Sequence, residues 1–178
     1  ASQLPDFETG ALAYKINNQG QIVGTVGTAN NITQTGSLWQ NGVLTTLSLL
    51  PGDFGGIASG INSKGQVVGS NWDSNFNWSH GYIWQDNVTT DLNTLFPASA
   101  NLYVTMANQI NDRGQISGMA IVLSGPDAGN IHAFLATPVN QSIGRSVAEV
   151  APTRPKSNSP ANVGNRPLPR FGLIHFER

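Results

Sequence analysis

The chain contains no cysteine, which removes disulfide frameworks, cysteine-based zinc sites and cysteine nucleophiles together. Charge is scarce as well. Asp, Glu, Lys and Arg supply 11% of the 178 residues, against about 25% in an ordinary soluble domain. Amphipathic helices need charged outer faces, so the shortage argues against a helical protein. No run approaches the roughly 18 apolar residues of a membrane span. No signal peptide is recognisable, and a chain opening Ala1-Ser2-Gln3 is expected to be a mature form after cleavage or an excised fragment. The histidines, His80, His132 and His175, show no metal-ligand spacing. Nucleophile-elbow, P-loop and dinucleotide-binding motifs are missing too.

What fills the gap is Asn, Gln, Ser, Thr and 20 glycines, with apolar residues at 39%. That composition suits short strands and turns, and it suits surfaces outside the cell. The net charge of −1 hides an asymmetry. Residues 1–139 set Lys15, Lys64 and Arg113 against eight carboxylates, for −5, whereas residues 140–178 carry +4. An acidic body with a basic tail can attract its own kind or a polyanion; the plainer reading is a solvated tail.

Three segments align without gaps. Ala13-Tyr-Lys-Ile16-Asn17-Asn-Gln-Gly20-Gln21-Ile-Val-Gly24 is followed by Ala58 to Gly69 and then by Ala107 to Gly118, with Ala, Ile-Asn, Gly-Gln and the last Gly at the same offsets. A second block follows each. Gly36-Ser-Leu38-Trp39-Gln40-Asn41-Gly42-Val43 is matched by Gly81-Tyr-Ile83-Trp84-Gln85-Asp86-Asn87-Val88, and more loosely by His132-Ala-Phe134-Leu135-Ala136. Leu50-Pro51-Gly52-Asp53-Phe54 echoes Leu4-Pro5-Asp6-Phe7, so the chain starts inside a repeat.

Each block reads as a hairpin. Asn tolerates positive φ and Gly adopts it freely, so turns are expected at Asn17–Gly20, Asn62–Gly65, Asn111–Gly114 and Asn41–Gly42. Two hairpins give four short strands per repeat, the size of a propeller blade. Ile16, Ile61, Ile110, Trp39 and Trp84 are expected to fill the layer between neighbouring sheets, a commoner job for recurring aromatics than ligand binding. Asn17, Asn62 and Asn111 are expected to hold the turn backbone, and Gln21, Gln66 and Gln115 to bond between blades.

These motifs resemble the HAF repeat of probable extracellular bacterial proteins. His132-Ala133-Phe134 matches the triplet that names the family, and Trp39 and Trp84 stand where it usually has tryptophan. The resemblance covers residues 4–139. Copies one and two depart from the triplet, reading Thr35-Gly36-Ser37 and His80-Gly81-Tyr82. It implies a secreted, β-propeller-like protein and brings no catalytic residue with it.

Chemistry has few places to sit. The loop Asn71-Trp72-Asp73-Ser74-Asn75-Phe76-Asn77-Trp78-Ser79-His80 offers aromatic faces and amides suited to a sugar, so Trp72, Asp73, Asn75, Trp78 and His80 are candidate glycan-binding residues. The alternative is that the tryptophans plug a gap at an interface. Asp73, Asn75 and Asn77 begin like a calcium loop, but Trp78 and Trp84 stand where that loop needs Gly and Glu; otherwise no cofactor is expected. Asp53, Asp91 and Asp112 are carboxylates that a fold could bring together for hydrolysis.

Three blades cannot close a ring of about four to eight. The expected architecture is therefore all-β: tandem four-stranded antiparallel units at about 4–49, 50–95 and 96–139, β-propeller-like, and open or completed by oligomerisation. Residues 140–178 form a Pro-rich basic tail with a terminal strand at 171–176. That strand, through Phe171, Leu173, Ile174 and Phe176, is expected to add to an open sheet edge, more readily of a neighbouring chain than of its own. The corresponding function is a non-enzymatic, secreted extracellular module for self-assembly or surface-glycan binding. Neither a nucleic-acid partner nor a membrane span is expected.

Overall fold

The computed structural model describes residues 3–5, 10–27, 33–76, 79–139 and the backbone of 171–175. The first repeat forms β1 (Ala11–Ile16), β2 (Ile22–Gly27), β3 (Gln34–Gln40) and β4 (Val43–Thr46). The second forms β5 (Gly55–Ile61), β6 (Val67–Trp72), β7 (Ser79–Gln85) and β8 (Val88–Asp91). The third supplies β9 (Leu102–Ile110), β10 (Ile116–Val122) and β11 (Ile131–Pro138), and β12 is Phe171–His175. They make three antiparallel four-stranded sheets in the orders β1-β2-β3-β4, β5-β6-β7-β8 and β9-β10-β11-β12. The protein is all-β, apart from two short 3-10 turns at Leu92–Thr94 and Ala98–Ala100.

The turns fall where Asn and Gly predict them. Asn41 and Gly42 take φ of 51° and 77°, and Asp86 and Asn87 take 52° and 65°. Two successive left-handed residues give the turn whose twist matches paired strands. In the first hairpins, Gly20 N donates to Asn17 O at 3.1 Å, and Gly65 and Gly114 repeat the bond to Asn62 and Asn111. The last glycine of each motif has a different cause. The registers of β1–β2, β5–β6 and β9–β10 slip opposite it. A bulge therefore pushes the carbonyl of Leu12, Ile57 or Met106 into the space that a Cβ on Gly24, Gly69 or Gly118 would need.

The sheets stack through their first strands: β5 lies on β2 and β3, and β9 on β6 and β7. One core layer joins Val23 and Leu38 of the first sheet to Ala58, Ile61, Val67, Tyr82 and Trp84 of the second, with Leu47 and Leu50 from the connection. The next joins Val68 and Ile83 to Ala107, Ile110, Ile116, Phe134 and Ala136. The second set is the first shifted by one repeat, position for position. Burying a side chain of this size contributes about 1.5–3 kcal/mol, so the repeated letters are chiefly the layer between sheets.

Three expectations need correction. Ile16 is 60% exposed, whereas Ile61 and Ile110 retain 3% and 6%; among the described residues a sheet covers each of those two and none covers Ile16. The repeated glutamines bond within their own sheet, and it is the asparagines that reach the next one. Residues 96–139 supply three strands rather than four, because no Asn-Gly turn follows Pro138. The fourth position is taken by β12, which pairs with β11 of its own chain, Leu135 opposite His175 and Pro138 opposite Phe171. Phe171, Leu173 and Ile174 thus lie on a strand of the third sheet, while Phe176 lies outside the described residues.

Candidate functional site

The Trp-rich loop leaves the end of β6. Trp72 closes that strand, half-buried, and its ring stacks on Phe76 with centroids 6.2 Å apart and planes 24° from parallel. Phe76 is 70% exposed and holds a left-handed φ of 55°. Asp73 works for the turn: its Oδ1 accepts from Asn75 N at 3.1 Å, and its carbonyl accepts from Phe76 N at 3.2 Å. One face of the Trp72 indole is therefore covered by Phe76. Its Nε1 is buried without a hydrogen-bond partner, against Gly55, where a Cβ would stand 2.6 Å away. Asn77 and Trp78 lie outside the described residues.

His80 does not share that loop surface. Its Nδ1 lies 2.9 Å from Asp53 Oδ2, and the two side chains are 4% and 0% exposed. Tyr103 meets the imidazole edge-on, with ring centroids 6.0 Å apart. Asp91 belongs to the same neighbourhood. Burial raises its pKa; hydrogen bonds from Asn93 and the charge of His80 act against that shift, and the charge of Asp53 adds to it. Asp91 Oδ1 also caps the turn at Leu92–Thr94 by accepting from Asn93 N at 2.8 Å. Asp53 and Asp91 thus converge, on a histidine. Asp112 is elsewhere, exposed, accepting from Ser63 N at 2.8 Å, a bond that lowers its pKa. The Asp53 and His80 side chains are both closed to solvent.

Among the described residues, no group of three or more His, Asp or Glu side chains is placed to hold a metal ion. Within the same residues, no helix is long and apolar enough to cross a membrane.

The constellation that spans the molecule is a ladder of amides. Asn17 Oδ1 accepts from the backbone N–H groups of Gln19 and Gln21 at 3.1 and 3.0 Å. Its Nδ2 donates to Gln21 Oε1 at 2.6 Å and to the Asn62 carbonyl of the next sheet at 2.9 Å. Asn62 repeats the pattern, donating to Gln66 Oε1 at 2.7 Å and to the Asn111 carbonyl at 3.0 Å. Asn111 donates to Gln115 Oε1 at 2.8 Å and, among the described residues, to no further sheet. Gln21, Gln66 and Gln115 then donate to Gln40, Gln85 and Thr137 on the third strand of their own sheets. The sequence singled out the asparagines as turn formers and assigned the link between repeats to the glutamines; the fixed spacing of both was the available sign of that link.

The geometry defines an all-β protein of tandem sheets joined by one recurring interface. No family model, no curated protein and no solved structure matches the chain.

Proposed function

We propose that this chain is a non-enzymatic, extracellular repeat module of the HAF type, its sheets the blades of an open β-propeller-like array. In this reading it assembles with copies of itself by docking its C-terminal strand on a neighbouring subunit. The observation that carries the reading is the seat of β12. In the first two sheets the fourth strand follows the third through a two-residue turn. In the third sheet Pro138 and Phe171 are paired neighbours, yet residues 139–170 run between them. Hairpin connections are commonly two to about five residues. A proline-rich connection of that length can reach tens of ångströms at about 3.1 Å per residue, which is enough for the tail of another copy to take the place of β12 on β11. The +4 tail and the −5 body favour such an encounter. Exchange of an identical element is a low-cost route to oligomers.

Glycan binding through Trp72, Asp73, Asn75, Trp78 and His80 has less support. Phe76 covers one face of Trp72, the Asp73 carboxylate is engaged in the turn, and His80 is buried against Asp53.

A double variant, Leu135→Cys with His175→Cys, tests the exchange, since those positions are directly paired and the chain has no other cysteine. Oxidation should yield covalent dimers on a non-reducing gel. Bridges found solely within single chains would reject the exchange.

A further inference from the structure

The first sheet presents to solvent the strand that the later sheets bury. β5 and β9 are each covered by the preceding sheet, whereas in β1 Leu12, Tyr14 and Ile16 are 53%, 48% and 60% exposed. The opposite end of the stack shows the complement. The face of the third sheet that corresponds to those receiving β5 and β9 is also open, with Met119, Ile131 and Leu135 at 36%, 66% and 41%. The amide ladder ends on the same two faces. The carbonyls of Asn62 and Asn111 each accept from the preceding asparagine, whereas among the described residues that of Asn17 accepts from its own turn alone, from Gly20 N.

We propose that β1 of a second copy of this chain docks on β10 and β11, with Asn111 Nδ2 donating to the Asn17 carbonyl of that copy. The two internal interfaces are the template, and the side chains at the open faces fit it. Gly36 and Gly81 sit where the next sheet comes closest. A Cβ on Gly36 would stand 2.8 Å from the Tyr82 hydroxyl and 3.2 Å from Ala58 N; one on Gly81 would stand 2.5 Å from Val104 Cγ1 and 3.4 Å from Ala107 N. The third sheet has Ala133 at this place. By strand register, the residues its methyl would meet in the second copy are Ser37 in place of Tyr82 and Ala11 in place of Val104. Both are smaller, so the added methyl meets lost bulk.

The apolar surface is kept as well. Val23 and Thr25 of the first sheet and Val68 and Ser70 of the second become Ser117 and Met119, the large apolar residue moving two places along the strand. Trp39, the counterpart of Trp84, is already covered, its Nε1 donating to the Pro5 carbonyl at 2.6 Å. Docking therefore leaves the interior of the first sheet unchanged.

The interface joins two different faces, and such contacts form rings where the rotation closes. Two copies of three sheets make a ring of six, within the range of propellers. This deepens the assembly reading and rests on its premise that the chain pairs with itself, but the contact differs from strand exchange.

Mixing full-length Ala13→Cys with full-length Ala133→Cys tests it. At their internal counterparts a Cβ on Gly36 would stand 3.2 Å from Ala58 N and one on Gly81 3.4 Å from Ala107 N, so docking on the same template sets positions 13 and 133 side by side. Oxidation should give a heterodimer from the mixture and none from either variant alone. If no heterodimer forms while the 135/175 pair bridges between chains, face docking is overturned and strand exchange stands. The reverse pattern supports face docking and removes strand exchange. Ile16→Asp gives an independent reading, since Ile16 is exposed in the single chain and the fold should persist by circular dichroism. The dimer dissociation constant should rise at least about tenfold in sedimentation, as for a central apolar contact. An unchanged dimer would overturn the proposal.

Discussion

Asp53 Oδ2 stands 2.9 Å from His80 Nδ1, although Asp53 belongs to the connection entering the second sheet and His80 to its third strand. The pair therefore ties the connection to β7. Both side chains are withdrawn from water, so loss of either partner strands the other. Asp53→Ala or His80→Ala should each destabilise by about 3–5 kcal/mol, the usual cost of leaving one member of a buried pair uncompensated. Urea denaturation of the single and double variants checks this. The double variant should lose clearly less than the sum of the singles; simple additivity would mean that the contact carries little energy.

That pair marks the limit of what the sequence disclosed. Asn17, Asn62 and Asn111 were readable because their turn chemistry is local and recurs at fixed offsets. The layer of Ile61, Ile110 and Trp84 was readable for the same reason. Asp53 and His80 sit inside different motifs, Leu50-Pro-Gly-Asp-Phe54 and His80-Gly-Tyr82, each of which has a sufficient local reading of its own. Only packing of the connection beside β7 brings them together. The seat of β12 was half readable: an apolar segment after a linker announces a strand, but a linker of that length is compatible with many edges. Ile16 is exposed because, among the described residues, no sheet lies on that face of β1, which identity with Ile61 conceals.

Asn62 should matter most among the three repeated asparagines. Its side chain accepts from Lys64 N and Gln66 N and donates to Gln66 and to Asn111, and it is 3% exposed. At about 0.5–1.5 kcal/mol net per hydrogen bond, Asn62→Ala should cost about 2–4 kcal/mol. Asn111 is exposed and lacks the bond to a following sheet, so Asn111→Ala should cost about half as much. Chemical denaturation ranks them. Equal losses would show that the link between sheets adds nothing to the turn.

Asp91 gives stability a pH dependence of defined sign. Burial raises its pKa above the usual carboxylate value, so the folded state holds the proton more tightly than the unfolded chain. The contribution of this group is complete below its unfolded pKa and is lost as pH rises through the folded one. Asp91→Asn keeps an oxygen to accept from Asn93 N and removes the titration. The stability of the original chain relative to this variant should therefore decline as pH rises from about 4 towards neutrality. Denaturation midpoints across that range check it, and a difference that grows with pH would contradict the assignment.

Ile16, Ile61 and Ile110 occupy one position of the repeat with 60%, 3% and 6% exposure, and this contrast separates intrinsic sheet stability from assembly. Truncation of a buried isoleucine to alanine removes its transfer energy and leaves a cavity, at about 2–5 kcal/mol. Ile61→Ala and Ile110→Ala should fall in that range at any protein concentration, because their covering sheets belong to the same chain. Ile16→Ala should cost less than about 1 kcal/mol in dilute protein, where its side chain is already wet. On the proposed face docking a second copy covers it in concentrated protein, and the loss should then approach that of the other two, since association adds to apparent stability by mass action. Thermal denaturation at several concentrations distinguishes the cases. A small, concentration-independent effect of Ile16→Ala would mean that β1 remains uncovered.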